Sequence, residues 1–434
     1  MRHLYRLTYK SDINVAVQKT TMTKLDQHKI WDVIVAGGGP AGFFAAIRCA
    51  ELNPNLKVLI LEKASQTLGK VLISGGGRCN VTHACFDPAQ LITYYPRGAS
   101  ALRGAFTRFQ PKDTVGWFET RGVKLKTESD GRMFPVTDSS STIAECLRES
   151  ARQAGVTVSL GTNLLMVEKV SGGGFRLEVR HEAQIFIIQT KKLLIATGSD
   201  RNTIEIVKSF GHSIVEPVPS LFTFNIKDKR IDGLAGVAVE NVTLKMDSIT
   251  TRGALLITHW GLSGPAALRL SAWGARELFE KKYHAKLIVN WLADYSFDKT
   301  LDVLTRNKEW KENVRRKVST TSAFSQIPAR LWKQLVHFVG DKNWADVSKA
   351  ELRKLAEELT AAIFVITGKG IFKDEFVTCG GVKLNEVDFK TMQSRVVENL
   401  FFAGEVLDID GITGGFNFQS SWTTGWLAGS TLST

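Results

Sequence analysis

The stretch 31–62 constrains this chain more than any other part of it. Trp31-Asp32-Val33-Ile34-Val35-Ala36 is a short apolar run, rich in the β-branched residues that a buried parallel strand favours. Gly37, Gly39 and Gly42 follow in G-x-G-x-x-G spacing, and Pro40 and Ala41 open a segment that reads as a helix over 43–52. A second apolar run, 57–61, ends at Glu62, twenty residues after Gly42. Each part has a task in holding a dinucleotide. Gly37 permits the tight turn, Gly39 lets a pyrophosphate approach the backbone, and Gly42 lets helix and strand pack closely. The helix N-terminus offers free N–H groups and a positive dipole end, and Glu62, followed by Lys63, can accept hydrogen bonds from a ribose. An ordinary glycine-rich turn explains three glycines, but not a strand, helix, second strand and acid in register. The stretch predicts a dinucleotide site, with FAD and NAD both open at this point.

The length, 434 residues, allows two or three domains. No apolar run approaches the roughly 18 residues that span a bilayer. A net charge of +13 suits nucleic acid or an acidic membrane surface. The cations are dispersed, however, and no nucleic-acid motif is present, so a solvated basic surface is the plainer reading. Cys49, Cys79, Cys85, Cys146 and Cys379 form no C-x-x-C pair and no metal pattern. Scattered thiols in odd number point to a reducing, cytoplasmic setting. Residues 1–30 lack the apolar centre of a secretory signal and read as a flexible extension; being basic and Thr-rich, they leave organelle transit as the alternative.

After Glu62, the segment 68–82 holds Lys70 and then Ser74-Gly75-Gly76-Gly77-Arg78-Cys79-Asn80, an anion-friendly loop able to wrap a cofactor. Helical stretches are expected over 86–122, a turn and extended piece over 130–135, a helix over 141–154 and a parallel strand over 156–160. Three short strands follow, at 164–168, 175–179 and 185–188, the first two joined through Gly172-Gly173-Gly174 in a hairpin. A separate buried strand, 193–198, ends in Ala196-Thr197-Gly198. The region 216–291 is strand-rich and punctuated by Gly and Pro, as a β-barrel would be, and 298–359 is helical and charged.

The last segment closes the argument. The strand 399–405 ends in Gly404-Glu405, with Asp408 just beyond, and Gly414-Gly415-Phe416-Asn417 starts a helix. An acid after a strand can hold a ribityl chain, and a Gly-Gly helix start can aim N–H groups at a flavin ring. Gly380 and Gly381 supply small residues where such a ring must lie against backbone.

Here a resemblance becomes plain. Ser74-Gly75-Gly76-Gly77-Arg78-Cys79-Asn80, Thr258-His259-Trp260-Gly261-Leu262-Ser263-Gly264-Pro265 and Gly404-Glu405-Val406-Leu407-Asp408-Ile409-Asp410-Gly411 resemble the BaiN-like flavoproteins, a family of NAD(P)/FAD-dependent oxidoreductases and aminoacetone-oxidase-type enzymes. The resemblance runs from Trp31 to the C-terminus. It implies an α/β fold: a two-part Rossmann-like FAD-binding domain (parallel sheet plus β-meander) with an inserted β-barrel domain carrying a small helical insert. The expected bounds are 1–30 for the extension, 31–213 and 373–434 for the FAD part, 214–297 and 360–372 for the barrel, and 298–359 for the helices. Members are linked to reduction of unsaturated bile-acid intermediates and to oxidation of a small aminoketone. One departure is local: where many members are glycine-rich after Ala-Thr-Gly, this chain runs Ser199-Asp200-Arg201-Asn202-Thr203 into a helix.

The expected function is hydride transfer between flavin N5 and a small or medium organic substrate. With no second dinucleotide fingerprint, NAD(P)H would dock transiently as reductant. The alternatives are an O2-using oxidase of a small amine or ketone, and a flavin-containing nucleic-acid or partner-binding protein suggested by the charge. His259 is the candidate proton donor, expected with Ser263 to face a cavity beside Gly380-Gly381; a lone histidine is equally a structural residue. Arg78 is expected to bind cofactor or an anionic substrate, and Cys79 is either a thiolate or a small packing residue beside the flavin. No metal site is expected.

Overall fold

A computed structural model describes residues 29–370 and 377–434. The expected extension 1–30 therefore lies outside the described residues apart from Lys29 and Ile30, as do residues 371–376 at the return from the insert.

Four strands pair in parallel about the fingerprint. Ile30–Ala36 is flanked by Val58–Leu61 on one side and Gln184–Ile195 on the other, and Thr157–Ser159 and Leu400–Phe402 extend the two edges. Val35 lies opposite both Ile60 and Leu194. With helices on the sheet, these strands are buried on both faces, which is why they read as continuous apolar runs. Thr162–Lys169 and Phe175–His181 form the meander on the outer half of Gln184–Ile195. Here the expectation of two separate strands, 185–188 and 193–198, is corrected: Gln184–Ile195 is one strand. Its first half pairs antiparallel with the meander and its second half parallel with the fingerprint strand, so the polar residues Thr190-Lys191-Lys192 stay extended.

The helix Pro40–Leu52 lies against the C-terminal helix Phe416–Leu432 at unusually short range. A Cβ on Gly425 would come 2.5 Å from the Ala41 carbonyl oxygen, and one on Gly429 2.4 Å from that of Ala45. Two glycines one turn apart thus face two alanines one turn apart, joining segments far apart in sequence in one apolar core from Trp31 to Leu432.

A second core runs from Phe222 to Ile366. Its antiparallel sheet is ordered Ala362–Ile366, Ala285–Asn290, Ala238–Met246, Ile249–Thr258, Gly261–Ser263, Phe224–Asn225, Gly368–Lys369. The two edge strands are separated along the chain by Thr367 alone, so the sheet curls round until its edges meet. Two details differ from expectation. The strand Ile214–Ser220 belongs to no barrel sheet; it pairs with Val377–Val382 in a two-stranded connector. The strand-rich region contains two helices, Pro265–Trp273 and Ala275–Glu280. The helical insert has no core of its own, because Leu304, Trp332, Trp344 and Leu355 pack into the barrel core.

Candidate functional site

A cleft of about 970 Å³ opens at the C-terminal ends of the parallel strands, where ligands bind in open α/β sheets. The three fingerprint glycines divide their tasks visibly. Gly37 has φ +111°, and a Cβ there would meet the Ala196 carbonyl oxygen at 2.4 Å. Gly42 presses against the turn itself, its Cβ position 2.0 Å from the Gly37 oxygen. At Gly39 a Cβ would meet nothing within 4 Å, since that side faces the open cleft. The helix beginning at Pro40 has no side-chain cap, so its first N–H groups are free to hold an anion.

Glu62 is half-buried at the cleft wall. Its carboxylate accepts from the Gly38 N–H at 2.9 Å and the Ala64 N–H at 2.8 Å, which fixes the glycine turn and leaves lone pairs for ribose hydroxyls. Two ion pairs cross the cleft: Lys63 with Asp200 at 2.5 Å, and Lys70 with Glu405. Both lysines are more than half exposed, so each pair is worth about 1 kcal/mol or less. A bound phosphate can take either lysine over at small cost. Asp200 also caps the helix Arg201–Ser209, accepting from the Thr203 N–H at 3.1 Å. Burial pushes its carboxyl pKa up, but Lys63 and Thr203 outweigh that and hold it below the usual value.

Of the residues expected to bind cofactor, Gly37, Gly39, Pro40, Ala41, Glu62, Lys63, Lys70, Ser74, Gly76, Thr197, Gly198, Gly404, Glu405 and Asn417 line this cleft. The segment 68–82 differs from the expected open loop. It is helical over its first turns, then kinks where Ser74 is extended and Gly75 and Gly76 have positive φ. The kink turns the residues beyond Gly76 away from the cleft. Gly77 lies outside it. Arg78, expected to hold an anion, bonds Glu128 at 2.7 Å, stacks on Phe134 at 4.1 Å and does not line the cleft. Cys79 is fully buried and its thiol is pushed up to about 12 by burial, so it is no thiolate. The Asn80 amide bridges the Thr82 carbonyl and the Gly415 N–H, each at 3.0 Å.

That bond occupies an N–H expected to reach the flavin. Gly414 and Gly415 pack closely on the Phe416 ring and the Thr82 carbonyl, and Phe416 is buried in a three-ring cluster with Tyr94 and His83. Thr413, Asn417 and Ser421 line this end of the cleft. Gly380 and Gly381 are likewise packed against protein backbone, at Glu216 and Val406. Asp408 sits beside Gly380, off the cleft, with Oδ1 buried and unpartnered. His259 is exposed at the turn between Ile249–Thr258 and Gly261–Ser263 and does not line the cleft; Ser263 bonds Thr223 at 3.2 Å. Residues that the sequence left unassigned also line it, among them Ile73, Ser199, Asp200 and Asn202. The Asp before a helix was a legible cap; its place on the cleft was not. Among the described residues no His/Cys/Asp/Glu group could hold a metal ion, and no helix is long and apolar enough to cross a membrane.

The Thr197 hydroxyl is buried at this cleft without a partner, and the wall at Gly39 is bare. Both fit a group such as FAD. The family model described as HI0933-like protein Rossmann domain matches residues 31–431. The chain belongs to this family. It is 28% identical to the ribosomal RNA dihydrouridine synthase of Escherichia coli strain K12, over 91% of this chain and 96% of that protein. It is 26% identical to the 3-dehydro-bile acid delta(4,6)-reductase of Clostridium scindens, over 91% and 97%. Among solved structures, the 3-ketosteroid-delta4-(5alpha)-dehydrogenase of Rhodococcus jostii RHA1 shares the fold, with 14% identity, a TM-score of 0.53, and 95% and 99% of the two chains covered. The protein is an FAD-dependent oxidoreductase.

Proposed function

We propose that this enzyme reduces a carbon–carbon double bond conjugated to a carbonyl, and that its substrate is a uridine of ribosomal RNA. The observation that carries the reading is the near full-length similarity to ribosomal RNA dihydrouridine synthases from two organisms, Escherichia coli and Haemophilus influenzae. The bile-acid relative supports the same chemistry, since a 3-oxo group conjugated to a double bond and the uracil ring both accept hydride at the far carbon and a proton at the near one. FAD, when bound, supplies the hydride; NAD(P)H is the proposed reductant.

The chain's own residues bind and orient. Gly39 and the free N-terminus of Pro40–Leu52 would hold the pyrophosphate, Glu62 the ribose, and Glu405 with Thr197 the ribityl end. We take 31–213 and 373–434 as the cofactor part, with 214–297, 360–372 and the helices 298–359 set against it; a substrate pocket at their junction follows the usual rule for such folds. Enzyme reduced without oxygen and mixed with protein-free ribosomal RNA should regain oxidised-flavin absorbance near roughly 450 nm. Recovery with O2, but not with the RNA, would refute the substrate reading.

A further inference from the structure

We infer that the turn 310–317 of the helical insert is a docking surface for RNA, an inference that rests on the ribosomal RNA reading above. The helix Phe297–Glu309 ends at Trp310, which is 59% exposed, more than any other tryptophan among the described residues. Lys311, Arg315 and Arg316 follow it in sequence, all exposed, and no ion pair joins them to an acid among the described residues. Elsewhere on the surface arginines are commonly paired: Arg121 with Glu51, Arg152 with Glu149, Arg252 with Asp294. The turn's acid, Glu312, is exposed and leaves its balance positive.

This turn is held by its backbone. The Asn313 N–H donates to the Trp310 carbonyl at 2.8 Å, and the N–H groups of Trp344 and Ala345 reach back to Arg316 and Val314 at 3.0 and 3.1 Å. Beneath it Trp332 and Trp344 are buried and stacked, their indole N–H groups bonded to the carbonyls of Val318 and Thr321. The fold thus holds one aromatic face and three unneutralised cations on a rigid base. Bases stack on exposed aromatics and phosphates seek unpaired cations, and a single strand offers both at short repeat. An anionic lipid surface would want a broader apolar face than one indole.

The test uses the full-length holoenzyme and a fluorescein-labelled single-stranded RNA of about 20 nucleotides, comparable to known site sizes. Trp310→Ala should weaken binding about ten-fold with an unchanged salt slope. Lys311→Gln/Arg315→Gln/Arg316→Gln should reduce the slope of log K against log salt by about 2. Both variants should keep wild-type flavin content and melting temperature, and raise KM for ribosomal RNA without lowering kcat. If wild-type enzyme reduces ribosomal RNA while both variants bind the probe unaltered, the docking surface is wrong and the substrate reading stands. If wild-type enzyme neither binds nor reduces the RNA, both fall. Loss of binding to phosphatidylserine vesicles, with RNA binding intact, would also overturn the inference.

Discussion

Gly39 and Gly42 are three residues apart and fail differently when given a side chain. At Gly39 the added carbon enters open cleft, so Gly39→Val should fold normally and lose flavin, its retained cofactor falling at least about ten-fold. At Gly42 it collides with the turn, so Gly42→Ala should lower stability by about 1–3 kcal/mol before cofactor is considered. Flavin content and thermal melting of the two purified variants separate the effects. His212 makes a prediction of another kind. It is buried, with Nδ1 against Glu386 at 2.9 Å and Nε2 against Ser394 at 2.8 Å, and burial lowers its pKa despite the glutamate. The unfolded chain takes up a proton near the ordinary value of 6.5, which the folded chain accepts only at lower pH. Stability from this group is therefore complete above about pH 6.5 and declines as pH falls toward the folded pKa. Melting temperature measured from pH 8 to 5 should decline at the acid end, and His212→Gln should flatten that decline; an identical slope in the variant would remove His212 as its source.

The paired helices Pro40–Leu52 and Phe416–Leu432 depend on Gly425 and Gly429. Gly425→Val should force them apart at the Ala41 carbonyl and cost about 1–3 kcal/mol, read as a lower melting temperature together with weaker flavin retention, since both helices border the cleft. How far the elements were legible depended on how local their signals are. The fingerprint strand, turn and helix are written in consecutive residues, and the structure has them there. Gln184–Ile195 was misread as two strands because Gln189-Thr190-Lys191-Lys192 looks like a loop; only the pairing partners at its two ends keep it extended. Pro265–Trp273 was missed although Gly264-Pro265 is a sound helix start, since the surrounding glycines and strands suggested more strand. At the site, sequence located glycines and acids but not their facing. Which side of the kink at Ser74–Gly76 meets the cleft, and what neighbours claim Arg78, Asn80 and Gly415, are settled by contacts over fifty to several hundred residues.

At the scale of the molecule, a buried ion pair helps tie the insert to the cofactor part. Arg97 grips Asp410 through two guanidinium nitrogens, Nε at 2.5 Å to Oδ1 and Nη2 to Oδ2, while Nη1 donates to the Ala272 carbonyl of the insert at 2.7 Å. Ser220, on the connector strand, donates to the same carboxylate at 2.8 Å. Arg97→Met would strand a buried acid and free the insert, so a loss of about 3–5 kcal/mol is expected, with faster proteolysis at the connector as the direct readout. The scales meet in the proposed function, in which FAD binds at the bare wall of Gly39 and its electrons end on a uridine. The most direct measurement is mass analysis of nucleosides from protein-free ribosomal RNA after incubation with enzyme and NADPH, with Gly39→Val in parallel. Uridine carrying two added hydrogens is expected with wild-type enzyme and none with the variant. Uridine left unchanged by flavin-loaded wild-type enzyme, or equal product from a flavin-free variant, would contradict it.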